Sequence, residues 1–228
     1  MYLHGLLFIL TDVAPADEPN FNRWYDREHL GDRIEVPGFT SARRYERLDT
    51  GRWKHLALYE TEDLRTFSSP AYKERLASQS AWSKQVLPLF VDPQRTIAQE
   101  VARCGVGFGG YISVLAFRAE PDDPGALAEH FSSLAANAIE ADDNICRMRL
   151  FSADSELSRP VAEYKQSRPS PIGGEHWFIF SEASDPSSLQ GIPTLMSALQ
   201  SAYEPVEIGE FRLRVGVDRG DITDTPAP

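Results

Sequence analysis

Gly38-Phe39-Thr40-Ser41-Ala42-Arg43-Arg44-Tyr45 and Asn144-Ile145-Cys146-Arg147-Met148-Arg149-Leu150-Phe151 read as one strand that occurs twice in the chain. Phe39 lies over Ile145, Ala42 over Met148, Arg43 over Arg149 and Tyr45 over Phe151. A second pair follows, with His55-Leu56-Ala57-Leu58-Tyr59-Glu60 over His176-Trp177-Phe178-Ile179-Phe180-Ser181. The surrounding signals recur in the same order. In the first half an apolar run at 2–12 precedes a helical pattern from Asp17 to Val36, which Pro37-Gly38 breaks. Strands at 39–48 and 53–61 flank the turn Asp49-Thr50-Gly51, a helical stretch covers 63–90, and a strand covers 94–102. In the second half a strand at 111–117 leads to Asp123-Pro124, an N-cap followed by a first helical residue. That helix runs to about Ala141, before strands at 144–152 and 176–180, a helix at 186–202 and a strand at 206–217. The expected organisation is a β-α-β-β-α-β unit over 1–104, a glycine-rich linker over 105–110, a second unit over 111–220 and a frayed tail over 221–228.

Burial decides how two such units combine. A βαββαβ unit makes a four-stranded antiparallel sheet with both helices on one face. In the first strand Leu6, Phe8 and Leu10 alternate with Leu7 and Ile9, so both faces are apolar and both need a cover. Two sheets packed together, or curled into a closed barrel, supply it. The expected fold is therefore α+β, two ferredoxin-like repeats closing a barrel within one chain. The alternative is pairing with a second chain, as a homodimer.

Composition narrows the function. The 228-residue chain is 42% hydrophobic and 25% charged, which suffices for a packed core. Its net charge of −11 gives no general attraction for nucleic acid or an anionic membrane, so neither is expected as a partner. Cys104 and Cys146 suit buried free thiols better than a disulfide framework or a metal site. The apolar start lacks a basic region and a cleavage site and is far too short to span a bilayer, so a cytoplasmic location is expected. There is no phosphate loop, no nucleophile elbow and no paired Cys/His zinc spacing.

The segment Phe21-Asn22-Arg23-Trp24-Tyr25-Asp26-Arg27-Glu28-His29-Leu30, with Pro37-Gly38-Phe39 and Ala42-Arg43-Arg44-Tyr45 after it, resembles the EthD-like branch of the dimeric α+β barrel superfamily. The resemblance implies a ferredoxin-like barrel. It leaves the activity open, since relatives include cofactor-free monooxygenases, polyketide cyclases, lactone isomerases and haem-binding enzymes. On their own terms, Tyr25 and His29 are four residues apart and share a helical ridge that Arg33 continues. At the mouth of an apolar barrel this ridge would form the polar end of a pocket. His29 suits a general base or acid and Tyr25 a donor to a carbonyl or oxyanion, with Asp26 or Glu28 orienting the imidazole. The bland alternative is a structural histidine, with Trp24 in the core.

Laying the second unit over the first puts His130 on Trp24, Phe131 on Tyr25, Ser132 on Asp26 and Ala135 on His29. The framework persists while the polar groups vanish, which points to one working site per chain. Arg43 and Arg44 face opposite ways, one into the barrel and the other toward Glu46 or Glu60 at the surface. The expected catalytic set is His29, Tyr25 and Arg44, with Trp24, Arg33, Arg43, His55 and Phe8 binding substrate and no metal. No cofactor is expected, although His55 or His176 would be the candidates for a haem ligand; His4, like that pair, reads either as a pocket residue or as a structural hydrogen-bonding group. The leading expectation is a cofactor-free isomerase, lyase or cyclase acting on a hydrophobic, carbonyl-bearing or aromatic small molecule. Alternatives are a cofactor-independent oxygenase of a phenolic substrate, a non-catalytic binder, or a structural module with a filled barrel.

Overall fold

The computed structural model describes residues 4–119, 123–159, 176–192, 199 and 204–223. Eight antiparallel strands close a barrel in the order β1-β3-β2-β8-β5-β7-β6-β4. They are β1 (Gly5–Asp12), β2 (Phe39–Arg47), β3 (His55–Thr61), β4 (Val91–Gly105), β5 (Tyr111–Arg118), β6 (Ile145–Ala153), β7 (His176–Ala183) and β8 (Glu204–Asp218). Closure lies within one chain. Every strand has two neighbours, so no free sheet edge is left for a second chain to extend.

Strands β4 and β8 are longer than the sequence pattern suggests, and their length closes the barrel. The first part of β4 pairs with β1 (Leu7 opposite Ile97), while its end pairs with β6 (Arg103 opposite Arg149). In the same way β8 pairs first with β5 and then with β2. Each long strand thus begins in its own half and finishes in the other.

The two-faced first strand behaves as its composition requires. Leu6, Phe8 and Leu10 turn into the barrel, whose core includes Leu56, Leu58, Phe151, Phe178, Phe180 and Phe211. Leu7 and Ile9 turn outward under a helical layer built on Phe21, Trp24, Tyr25, Tyr59 and Phe90. A second outer layer packs Leu127, Phe131 and Ala135 onto Leu115, Leu150 and Ile179. Burying side chains of this size contributes about 1.5–3 kcal/mol each.

Local chemistry sets the helix ends. In the first layer, α1 (Glu18–Trp24) and α2 (Leu30–Ile34) are joined by a π turn over Tyr25–His29. Gly38, at φ +94°, ends this rod in a conformation that disfavours L side chains. The stretch 63–90 is several short pieces, among them α3 (Pro70–Ala77) and α4 (Ala81–Val86), capped by Ser69 and Ser80. The Asp123 carboxylate accepts from the Gly125 and Ala126 amides at the start of α5 (Pro124–Ala141), as its position before Pro124 predicts.

Some expectations fail locally. Trp53 does not begin β3. It sits at φ +61°, fully buried at a barrel end, with its indole N–H donating to the Asp92 carbonyl at 2.8 Å. Both cysteines are half-buried free thiols rather than core residues. The tail is not frayed from 221, because a short helix spans Arg219–Thr223 and Ile222 packs on the first helical layer. Most of the connection between the strands expected at 144–152 and 176–180, and most of the helix expected at 186–202, lie outside the described residues.

Candidate functional site

The π turn carries the site. In a regular α-helix each four-residue step overshoots a full turn by roughly 40°. Residues 21, 25, 29 and 33 would therefore drift off any one face. The wider turn, in which the Leu30 amide donates to the Tyr25 carbonyl, takes up that drift. Phe21, Tyr25, His29 and Arg33 all end up buried. π turns of this kind are frequent at functional sites.

The ridge does not stand at the barrel mouth. It lies outside the barrel wall, between the first helical layer and the outer faces of β1–β3. The His29 ring stacks on Trp24 at 4.0 Å, meets Tyr25 edge-on at 5.3 Å and faces the edge of Tyr59 at 6.2 Å. Its Nε2 is buried with no hydrogen-bond partner. Burial, helped by the positive charge of Arg33, holds the imidazole pKa well below its ordinary value. His29 is thus neutral near pH 7, with a ring nitrogen available.

The acidic neighbours do not orient His29. The Glu28 carboxylate accepts from Ser80 at 2.5 Å and from Ser83 at 3.3 Å, and Ser83 in turn accepts from the Trp24 indole at 3.1 Å. This chain fixes Trp24, and Trp24 fixes the imidazole by stacking. Asp26 instead pairs with Arg44 at 2.7 Å. Arg44 is fully buried on the helical side and also donates to the Asn22 carbonyl at 3.2 Å and the Asn22 side chain. Burial lowers the Arg44 pKa and Asp26 partly restores it. Arg44 therefore ties the rod to β2 and does not face a substrate, and its partner is neither Glu46 nor Glu60.

His29 reaches a cleft of about 10 Å³ shared with Asp32, Arg33, Arg75, Ser78, Gln79 and Ser83. Next to it, Glu35, Val36, Pro37, Ala71, Glu74, Arg75 and Ser78 line an open cleft of about 290 Å³. Arg75 and Ser78 belong to both, so the larger cleft leads toward His29. Arg75 stands at the junction, 2.8 Å from Glu35 and 3.5 Å from Asp32. Neither Arg75 nor the Ser80–Ser83 pair was singled out by sequence. The serines are legible as an N-cap, but their contact with Glu28 is a tertiary matter.

The other expected residues scatter. Phe8 is inside the barrel against Phe178 and Phe180, beside a cavity of about 20 Å³, which holds roughly one water. Arg43 also faces the barrel interior, where it meets Glu60. Glu60 is therefore an interior residue rather than a surface one. His55 is buried under Phe21, 3.6 Å from Glu18, and burial and Arg44 lower its pKa to about 4. His4 is exposed ahead of β1, and His130 is exposed where Trp24 is buried.

His55 and His176 are not counterparts. Arg43 lies opposite Leu58, and Arg149 lies opposite Phe180. The third strands therefore match one residue out of the expected register, with Leu56 over Phe178 and Glu60 over Glu182. The conserved-looking histidine pair dissolves, and a pair of interior glutamates replaces it.

No family model matches the chain, and no curated protein does. Solved structures do. An anthrone oxidase-like protein aligns at TM-score 0.67 with 10% identity, covering 96% of this chain and 94% of its own. A provisionally named monooxygenase from Lactobacillus acidophilus aligns at 0.63 with 7% identity, covering 95% and 97%. A haem-binding protein from Thermus thermophilus aligns at 0.54 with 10% identity, covering 98% and 94%. These likenesses show the fold alone, a dimeric-α+β-barrel-type arrangement with ferredoxin-like architecture. Here the whole barrel is closed by a single chain.

The haem named for one neighbour does not suit the two histidines considered as ligands. His55 is sealed beneath Phe21 at 4.6 Å. His176 is buried, and its Nε2 accepts from Arg118 at 3.2 Å. Among the described residues, no helix is long and apolar enough to cross a membrane, and no cluster of acidic, histidine and cysteine residues is arranged to hold a metal ion.

Proposed function

We propose that the chain is a cofactor-free small-molecule enzyme in which neutral His29 takes a proton from a hydrophobic, carbonyl-bearing or aromatic substrate. The observation that carries this reading is the buried imidazole with an unpartnered Nε2, stacked on a braced indole. A neutral base avoids losing its proton before each turnover, and a desolvated one makes its lone pair available without displacing water. Tyr25 supplies the donor to the developing oxyanion, and Arg33 favours negative charge nearby. Substrate enters by the cleft beside Arg75, and the site widens as it does so.

Two outcomes share this first step. Protonation at another carbon gives an isomerase, lyase or cyclase. Reaction of the carbanion with dioxygen gives a cofactor-independent oxygenase, which the neighbours named anthrone oxidase-like and monooxygenase favour. We place the chain in the EthD-like branch on its Trp24-Tyr25-Asp26…Glu28-His29 motif. In this reading units 1–104 and 111–220 are two copies of one unit, only the first of which is active. A homodimer, where formed, uses a surface other than a sheet edge.

The test is a panel of anthrones, phenols and 1,3-dicarbonyl compounds, incubated with and without oxygen. Product formed in both conditions supports proton transfer alone, and product formed only with oxygen supports the oxygenase. Saturable binding without conversion, unchanged in H29Q, would point to a carrier and sink the catalytic reading.

A further inference from the structure

Inside the barrel, away from both helical layers, Arg43, Glu60, Arg147, Arg149 and Glu182 form one ion cluster. Glu60 accepts from Arg43 and, at 2.9 Å, from Arg149. Glu182 accepts from Arg147 at 2.6 Å and from Arg149 at 3.0 Å. The three arginine side chains are at most 5% exposed, and Glu182 is wholly buried. Glu100 approaches Arg149 at 3.8 Å, but Arg103 holds it from both oxygens at 2.7 and 2.9 Å. The Arg43, Arg147 and Arg149 guanidinium groups thus meet Glu60 and Glu182 directly, while Glu100 is a third carboxylate that Arg149 shares with Arg103.

Among the described residues, Arg43 Nε and Nη1 and Arg149 Nε are buried donors without partners, as are the Ser41 and Tyr45 hydroxyls, and one acceptor, Glu182 Oε2, is left over as well. Buried charged donors are retained when something accepts from them. Above them lies the linker between β4 and β5. Its Phe108 ring sits 3.8 Å from the Arg43 guanidinium and 4.6 Å from that of Arg147, yet it is half exposed. At Gly105 and Gly109 a side chain would collide with the Cys146 and Ala183 backbone, whereas nothing lies near Gly107, at φ +87°. The linker is closely packed at both ends, and Phe108 lies between them beside the open space around Gly107.

We propose that this barrel end binds a small monocarboxylate, held by the unpartnered donors of Arg43 and Arg149 and covered by Phe108. Two carboxylate oxygens match guanidinium donors that no protein group among the described residues accepts from. The site lies inside the barrel, separate from the His29 cleft, and does not depend on the reaction assigned there.

The test is calorimetric titration of the full chain with sodium formate and sodium acetate, at ionic strength matched by sodium chloride. Saturable heats with the carboxylates at one site per chain, absent with chloride, are expected. R43Q should lose at least tenfold in affinity. F108A, which need not break the ring–guanidinium stack to admit the anion, should bind about three- to fivefold more tightly. No saturable carboxylate binding, or equal heats with chloride, overturns the proposal. Should R43Q not fold, F108A decides, and unchanged acetate affinity in it overturns the cap and the site together.

Discussion

The two helical layers flanking the barrel have the same job and different contents. In the second, α5 is one regular helix of 18 residues, which buries Leu127, Phe131 and Ala135 at four-residue spacing and is capped by Asp123. In the first, Phe21, Tyr25 and His29 repeat that spacing, but a π turn interrupts the helix and two of the three buried groups are polar. Beneath them β2 and β6 have the same sequence of buried and half-buried positions, while Arg44 stands where the other strand has Leu150. Packing alone is satisfied by the second arrangement. The first keeps a buried imidazole, a buried guanidinium and a π turn, and such departures from the regular pattern concentrate where a protein does chemistry.

The sharpest way to break this comparison is H29Q. With a substrate in hand it should lower turnover by about 10²- to 10⁴-fold, the usual contribution of a general base. Thermal melting should stay near that of the parent, since no hydrogen bond to Nε2 is lost. Retained turnover would make the first layer as structural as the second.

R44L copies the second layer's residue into the first. It removes the partner of Asp26 and Asn22, and urea denaturation should show a loss of about 3 kcal/mol. A neutral result would mean that Arg44 does not brace the rod. The reverse graft, A135H, forces a polar ring into a fully buried position and should cost about 1–3 kcal/mol without adding activity. Gain of a second active centre would overturn the assignment of one site per chain.

Acid sharpens the same contrast, because α5 buries no histidine. Both His29 and His55 have folded-state pKa values below the unfolded value near 6.5, His55 at about 4. Above pH 6.5 neither form binds the proton and stability is flat in these groups. Below it the unfolded chain gains protons that the folded chain refuses, so stability falls as pH drops, for His55 until about pH 4. The slope should approach about 1.4 kcal/mol per pH unit for each histidine. Denaturation midpoints at pH 7 and pH 5 would show it, and H55Q should remove one of the two contributions.

Much of the fold was legible because hydrophobic periodicity is local. Strand β1, apolar on both faces, required two covers, and it has them in Phe178 and Phe180 on one side and the first helical layer on the other. Asp123-Pro124 and Pro37-Gly38 set helix ends that a few neighbouring residues decide. A histidine that begins each strand makes the linear pattern place β3 over β7 one residue away from the true match. Only pairing to β2 and β6, a property of sheet hydrogen bonds, puts Glu60 over Glu182.

The site was half legible. Spacing by fours joined Tyr25, His29 and Arg33 on one face, and the structure buries all three together. Spacing could not tell the barrel interior from the outer helical layer, since both are apolar and both flank the same strands. The α+β order of elements, the buried faces and the His29 ridge are all set by residues a few positions apart. Long-range pairing is what carries β4 and β8 between halves to close the barrel in one chain. The tertiary structure alone parts Arg43 from Arg44, sending one to an interior ion cluster and the other to Asp26. Those outcomes depend on contacts between residues far apart in the chain, and a linear pattern holds no distance across a sheet.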